Sequence, residues 1–358
     1  MPHLNRLKRV KKIIESKDVD CLLFSDISNI YYISHFKGFE GVLLIIPKDG
    51  TSELYVPKLE YERALEESEN VNINVYSESL EQAIKDFIGK LKCKKIGLPY
   101  FKTSLWLANK LSKISQEIKL EDISKEIMEV RAIKDIDEVE AIKKAVKITE
   151  KGFDEALNIL SEGVRELDVA AKIEYTFKVN GSYEVAFPCI VASGRNSALP
   201  HATASEKTIR RGEIVVVDIG AKYMGYCGDL TRTISLGSVS SKLKDIFYAV
   251  LEAQKEAIRK IKPGIKASEV DAAARNVLKE YGYDKFFTHS TGHGIGIEVH
   301  EYPRLSNKSN ATLKTGMVVT VEPGVYIRDL GGIRIEDDVL VTDSGYVILS
   351  TYPKDLIE

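Results

Sequence analysis

The stretch from Thr288 to Glu336 reads THSTGHGIGIEVHEYPRLS, then MVVTVEPGVYI, then GGIRIEDDVLV. It holds three of the six histidines, His289, His293 and His300, and two carboxylates, Glu322 and Glu336, each closing a run rich in β-branched residues. An upstream stretch, IVVVDIGAKYMGYCGDLTRTISLG, carries Asp218 and Asp229 in the same kind of setting. One such acid alone is as well explained as a strand-end carboxylate capping backbone N–H groups. Four of them with an imidazole are not, because isolated buried carboxylates become protonated or destabilise the fold and unpaired buried charge is strongly unfavourable. The set calls for cations, and hard oxygen ligands with a single nitrogen suit two divalent ions such as Mn²⁺, Co²⁺ or Zn²⁺. His293 lies in Gly292-His293-Gly294-Ile295-Gly296, where the glycines let backbone approach a ligand closely. His300, in VHEYPR, and His201, in ALPHATAS, have no second acid at ligand spacing. They suit polarising a substrate carbonyl or passing protons, with a structural role as the alternative for each.

These residues need rigid hairpins. Asp218 and Asp229 lie eleven residues apart, and a turn centred near Tyr223-Met224 puts both on one side of a two-stranded ribbon. Glu322 and Glu336, fourteen apart, sit on a second hairpin in which MVVTVEPGVYI turns at Asp329 to Gly332 and returns as IRIEDDVLVT. A helix pair is expected before each hairpin: Asp135 to Leu160 with Leu167 to Val179, then Lys242 to Ile261 with Ser268 to Tyr281. On the first of these, Glu138, Glu140 and Glu150 interleave with Lys143, Lys144 and Lys147, which reads as a solvated face. Residues 123–358 are therefore expected to be an α+β domain built from two similar halves facing across a pseudo-two-fold. Residues 1–122 alternate helix and strand, which predicts an α/β domain with a mixed sheet and helices on its faces. Its predicted strands include DCLLF, NIYYIS, EGVLLIIP, SELYVP, VNINVY and KKIGLP, with Lys48-Asp49-Gly50 as a hairpin turn.

With 358 residues, two domains are the natural division. A net charge of −2 gives no basic surplus for nucleic acid, and no apolar run is long enough for a membrane span. The basic N-terminus lacks the apolar core of a signal peptide and reads instead as an amphipathic helix burying Leu4, Leu7, Val10, Ile13 and Ile14. Cys21, Cys93, Cys189 and Cys227 form no CxxC pair and read as reduced thiols of a cytoplasmic protein. No phosphate-binding glycine loop follows any expected strand.

GHGIG, EVHE and PR, together with VVVDIG, GDLTRT, TVEPGVY and GGIRIED, resemble the Xaa-Pro peptidases of the pita-bread metallopeptidase family, the prolidases (Xaa-Pro dipeptidases) and aminopeptidases P. The resemblance covers the whole C-terminal domain, and an α/β domain ahead of it suits the creatinase-like architecture of that family. It implies that Asp218 binds the first of two metals, that Asp229 and Glu336 bridge both, and that His293 and Glu322 complete the second. It implies that Glu322 also shuttles the proton, that His201 and His300 contact the scissile carbonyl, and that Arg304 pairs with the carboxylate of a C-terminal proline. The implied substrate is a small peptide with proline at its second position. Dipeptidase and aminopeptidase P both stay open. The full ligand set opposes a non-catalytic pita-bread binding protein, a metal-free creatinase-type hydrolase and, with the upstream domain, a methionine aminopeptidase. A homodimer is expected, with Tyr31, Tyr32, Phe36 and Phe39 read as exposed aromatics and residues 31–39 as a candidate lid.

Overall fold

The structure is a computed structural model that describes residues 2–39, 41–76, 79–91, 93–114 and 117–355, without the side chains of Pro2, His3, Leu4, Lys90 and Leu91. The burial expected of Leu4 thus lies outside the described residues. The chain divides into two compact units, Met1–Arg131 and Ala132–Glu358.

In the first unit the order is α1 (Pro2–Lys17), β1 (Cys21–Phe24), α2 (Ile27–Ser34), β2 (Leu43–Pro47), β3 (Ser52–Pro57), α3 (Tyr61–Glu67), β4 (Val71–Tyr76), α4 (Leu80–Leu91), β5 (Lys95–Leu98), α5 (Leu105–Ile114), β6 (Lys119–Asp122) and α6 (Ser124–Ala132). The strands form one mixed sheet in the order β4-β3-β2-β1-β5-β6, parallel at β3–β4, β1–β5 and β5–β6 and antiparallel between. Apolar residues of the sheet, such as Leu23, Ile45 and Ile96, pack with Ile84 and Phe87 of α4 and Leu107 and Leu111 of α5. The Lys48-Asp49-Gly50 turn joins β2 to β3 with Gly50 at φ +94°.

NIYYIS, expected as a strand, is the body of helix α2. Its β-branched and aromatic residues favour a strand on propensity alone. Asp26 overrides that by accepting the Asn29 N–H at its N-terminus, and His35 closes the C-terminus in the left-handed region at φ 64°. Burial inside the unit supplies the rest. Tyr31, Tyr32 and Phe36 are buried, so only Phe39, 68% exposed, keeps the surface character expected of the four aromatics. Residues 31–36 are core rather than a free lid.

The second unit opens with α7 (Ile136–Ile159) and α8 (Glu166–Val179). Then come β7 (Ile190–Ser193), β8 (Ile214–Ile219), β9 (Lys222–Tyr223), β10 (Tyr226–Cys227) and β11 (Leu230–Ser235). A second helix pair follows, α9 (Ser241–Lys260) and α10 (Ala267–Glu280). The chain ends with β12 (Gly292–Gly294), β13 (Glu301–Leu305), β14 (Val318–Val321), β15 (Gly324–Ile327), β16 (Gly331–Arg334), β17 (Asp337–Thr342) and β18 (Gly345–Ile348). Each helix pair thus precedes strands that bear or flank two of the acids. One sheet runs β11-β8-β7, the other β13-β12-β14-β17-β18. Asp135 starts α7 with a capping box: its side chain accepts the Glu138 N–H, and Glu138 accepts the Asp135 N–H. Only part of the expected solvated face of α7 reaches solvent. Glu140 and Lys143 pair at the surface, whereas Glu138 is buried under the Tyr226 hydroxyl and Glu150 is buried where it accepts from Thr351.

Candidate active site

Strand register decides which acids meet. In the β8–β11 pair Asp218 lies opposite Thr231 and Ile219 opposite Leu230. Alternation of side chains then puts Asp218, Thr231 and Asp229 on one face. The ribbon continues through β9 and β10 to a turn at Met224-Gly225, one residue beyond its expected centre, with φ 46° and 76° as a primed hairpin turn demands.

The second hairpin is not the continuous ribbon its sequence suggests. β14 pairs with β17 and β15 with β16, in separate sheets, and the two pairings are interrupted at Glu322-Pro323 and Ile335-Glu336. The register is nevertheless the same on both sides, Val321 opposite Asp337 and Gly324 opposite Arg334, which sets Glu322 across from Glu336. Pro323 has no N–H to give a ladder, one reason for the break. The break releases both acids from regular pairing.

Hydrogen bonds join the two hairpins. The Thr231 hydroxyl donates to Glu336 Oε2 at 2.6 Å, the Glu336 N–H donates to the Thr231 carbonyl at 3.1 Å, and the Asp229 N–H donates to Asp338 Oδ2 at 2.9 Å. His293 comes from β12, where its N–H donates to Thr320 Oγ1 at 3.1 Å. A Cβ on Gly292 would lie 2.0 Å from the Thr320 carbonyl oxygen, so this approach requires glycine. His293 Nε2 sits 3.3 Å from Glu322 Oε1 and 3.9 Å from Asp229 Oδ2. Asp229, His293 and Glu336 each offer a ligand atom, all within 4.8 Å of one another.

The electrostatics are those of a cation site. Burial first, and then neighbouring carboxylates, push Asp229 and Glu336 well above the ordinary carboxylate range. Burial also raises Asp218, against the pull of Arg334. Burial would raise Glu322 as well, but its hydrogen bond and ion pair with His293 win and hold it near 2. The same pair raises His293, outweighing burial. One buried oxygen each on Asp218, Asp229 and Glu336 has no hydrogen-bond partner among the described residues. Buried carboxylate oxygens are normally paired, and divalent ions fit these: they would replace the protons that repulsion otherwise draws in.

The eight singled-out residues line one cavity of about 560 Å³: Asp218, Asp229, His293, Glu322 and Glu336 with His201, His300 and Arg304. The His300 ring stands edge-on to His293 with centroids 4.4 Å apart. Arg304 is exposed and donates from Nε to Ser290 Oγ at 3.2 Å. Phe187, Pro188, Ile190 and Val299 supply apolar lining.

Three participants, Arg334, Tyr326 and Asp338, carry no signal singled out in the sequence, and His289 is named there without a role. Buried Arg334 pairs with Asp218, donates to the Tyr326 hydroxyl at 2.6 Å and to the Pro200 carbonyl at 3.2 Å. His289 Nε2 lies 2.9 Å from that same hydroxyl. Asp338 holds the Asp229 backbone, as above. A signal existed for Arg334: within GGIRIE it alternates with Glu336 at the period of a strand, and so shares its face.

The chain matches the model of metallopeptidase family M24 over residues 140–343 and that of the creatinase/prolidase N-terminal domain over residues 6–133. It is 44% identical over 370 residues to the Xaa-Pro dipeptidase of Pyrococcus horikoshii, covering 98% of this chain and 99% of that one. Among solved structures, an Xaa-Pro dipeptidase from Bacillus anthracis superposes with a TM-score of 0.95 at 34% identity, covering 99% of both chains. An X-Pro aminopeptidase from Thermotoga maritima gives 0.89 at 36% identity, covering 97% of this chain and 99% of that one.

Proposed function

Because the chain belongs to metallopeptidase family M24, with a creatinase/prolidase N-terminal domain, we propose that it is a metal-dependent dipeptidase hydrolysing the bond between any residue and a C-terminal proline. The observation that carries this reading is the convergence of three buried carboxylates with unpartnered oxygens, of His293 and of the half-buried Glu322 on a cavity that also presents Arg304. Asp218, Asp229, His293, Glu322 and Glu336 hold two divalent ions, Mn²⁺ or Co²⁺ in preference to Zn²⁺. Such a pair lowers the pKa of water and neutralises charge that develops in the transition state. Glu322 accepts the proton released on attack, from a position fixed by His293. His201 and His300 donate hydrogen bonds to the scissile carbonyl, where negative charge grows. Arg304 clamps the proline carboxylate, for which a guanidinium fork is suited. The apolar lining accepts the proline ring.

An aminopeptidase P reading differs only in substrate length, and the likeness to the Thermotoga enzyme keeps it in view. A hydrolysis panel of Ala-Pro, Gly-Pro and Ala-Pro-Ala with Mn²⁺ or Co²⁺ separates the two. Turnover of dipeptides alone supports the dipeptidase, turnover of Ala-Pro-Ala alone the aminopeptidase, and no turnover of any rejects both. We place the enzyme in the cytoplasm as a homodimer. Four free buried cysteines support the first. For the second, Leu59, Leu105 and Trp106 of the N-terminal unit expose apolar surface that a second copy would cover. A purely monomeric species in sedimentation at micromolar concentration rejects the dimer.

A further inference from the structure

His201 sits on a loop that leaves β7 at Ser193, passes through a 3₁₀ turn over Gly194–Ala198 and reaches Ser205. One side chain holds both ends of it. Glu166, the first residue of α8, is fully buried. Its Oε1 accepts from the Ser193 N–H at 2.7 Å and the Ser193 hydroxyl at 2.8 Å. Its Oε2 accepts from the Ser205 N–H at 3.2 Å and the Ser205 hydroxyl at 2.6 Å. The Asn196 amide reaches both oxygens, at 3.2 and 3.1 Å. Every one of these donors is neutral. The nearest cation stands one bond further out, where Lys207 Nζ donates to the Ser193 hydroxyl at 2.7 Å, so the carboxylate depends directly on well-aimed neutral donors from both loop ends. Glu166 does not line the cavity. The segment it fixes does reach the site, because the Ser197 hydroxyl oxygen accepts the Gly332 N–H at 2.9 Å and the Pro200 carbonyl accepts from Arg334.

We propose that Glu166 is a positioning residue for the reaction: it sets His201 against the scissile carbonyl by holding residues 193 and 205 together. This rests on the substrate contact assigned to His201 above. The chemistry of Glu166→Gln isolates the effect. Each carboxylate oxygen accepts a backbone N–H, a donor that cannot reverse. Glutamine keeps one oxygen and turns an NH₂ toward the other N–H, so one end of the loop must let go.

The test uses the full chain with Mn²⁺ and Ala-Pro as substrate. Glu166→Gln should lower kcat on the order of 10- to 100-fold, the scale of a small misplacement of a group acting in the transition state, with KM and calorimetric Mn²⁺ binding unchanged. Amides of residues 193–205 should exchange hydrogen faster. In a His201→Ala background, the same Glu166→Gln change should lower kcat by less than about 2-fold, since the residue it positions is gone. Equal losses in both backgrounds, or unchanged exchange across 193–205, overturn the proposal. Should Glu166→Gln fail to fold, Ser205→Ala removes one hydroxyl donor, leaves the carboxylate intact, and is read by the same cycle and the same exchange measurement. If the unmodified chain cleaves no Xaa-Pro peptide, it is the functional reading that fails, and the exchange arm alone still decides whether Glu166 fixes the loop.

Discussion

Among the site's carboxylates, Glu322 is the one whose Oε1 lies against His293 Nε2, at 3.3 Å. A carboxylate oxygen fixed in this way suits the proton acceptor proposed above. Glu322→Gln should therefore lose kcat by about 100-fold or more, beyond any loss of bound Mn²⁺ measured on the same samples. Loss of activity strictly proportional to lost metal would make Glu322 a ligand only. Arg304 should behave differently. Its guanidinium is exposed and lines the cavity, and as the carboxylate clamp proposed above it would meet the substrate in ground and transition states alike, so Arg304→Ala should raise KM for Ala-Pro more than it lowers kcat. A tripeptide has no carboxylate at that point and should be nearly indifferent to the change. Equal losses on Ala-Pro and Ala-Pro-Ala would remove the reason to prefer a dipeptidase.

At the scale of elements, helix α7 rests on its Asp135–Glu138 capping box. Asp135→Ala should reduce stability by about 1 kcal/mol, read as a lower denaturation midpoint in urea, with kcat unchanged for the folded fraction. The long helices and the first acid-bearing hairpin were legible in the sequence, since periodicity and turn chemistry there agree with the final structure. Helix α2 was not, because its strand-like composition is overruled by one capping aspartate and by burial that only the assembled unit supplies. The second hairpin was legible as a pair of strands but not as a broken one. Its interruption is set by where each half finds a sheet to join, which is tertiary information. The four carboxylates and His293 were readable because acids closing apolar runs and a histidine among glycines are an unusual set, whereas His201, His300 and Arg304 are exposed, and the role of Arg304 came from the family resemblance. Arg334 and Asp338 were not singled out, since their partners lie on other elements, more than a hundred residues away in sequence for both the Arg334–Asp218 pair and the Asp338–Asp229 contact. The burial of Glu138 and Glu150 was hidden for the same reason.

At the scale of the whole molecule, the proposed ion site would couple metal to stability. The folded-state pKa values of Asp229 and Glu336 lie above those of the unfolded chain. In a chelated sample these groups support the fold below the unfolded carboxylate range, and that support is lost as pH rises toward their folded values. Bound cations reverse the preference, because they require the ionised form. The gap in Tm between Mn²⁺-loaded and chelated protein should therefore widen from pH 5 to pH 8, as scanning calorimetry would register. A gap that is constant or narrows would mean that these acids are not the ones that hold the ions. The stitching of the two hairpins has a further consequence, in time rather than in space. Thr231 meets Glu336 across 105 residues and Asp229 meets Asp338 across 109. Closing loops of that length costs entropy before any contact repays it, so the ion site comes into being only after both hairpins have docked. Mn²⁺ present from the first moment of refolding should then leave the refolding rate unchanged and slow unfolding instead. Refolding accelerated by the metal would mean that the ions recruit the hairpins, whereas an unaltered rate would mean that they arrive at a frame already built.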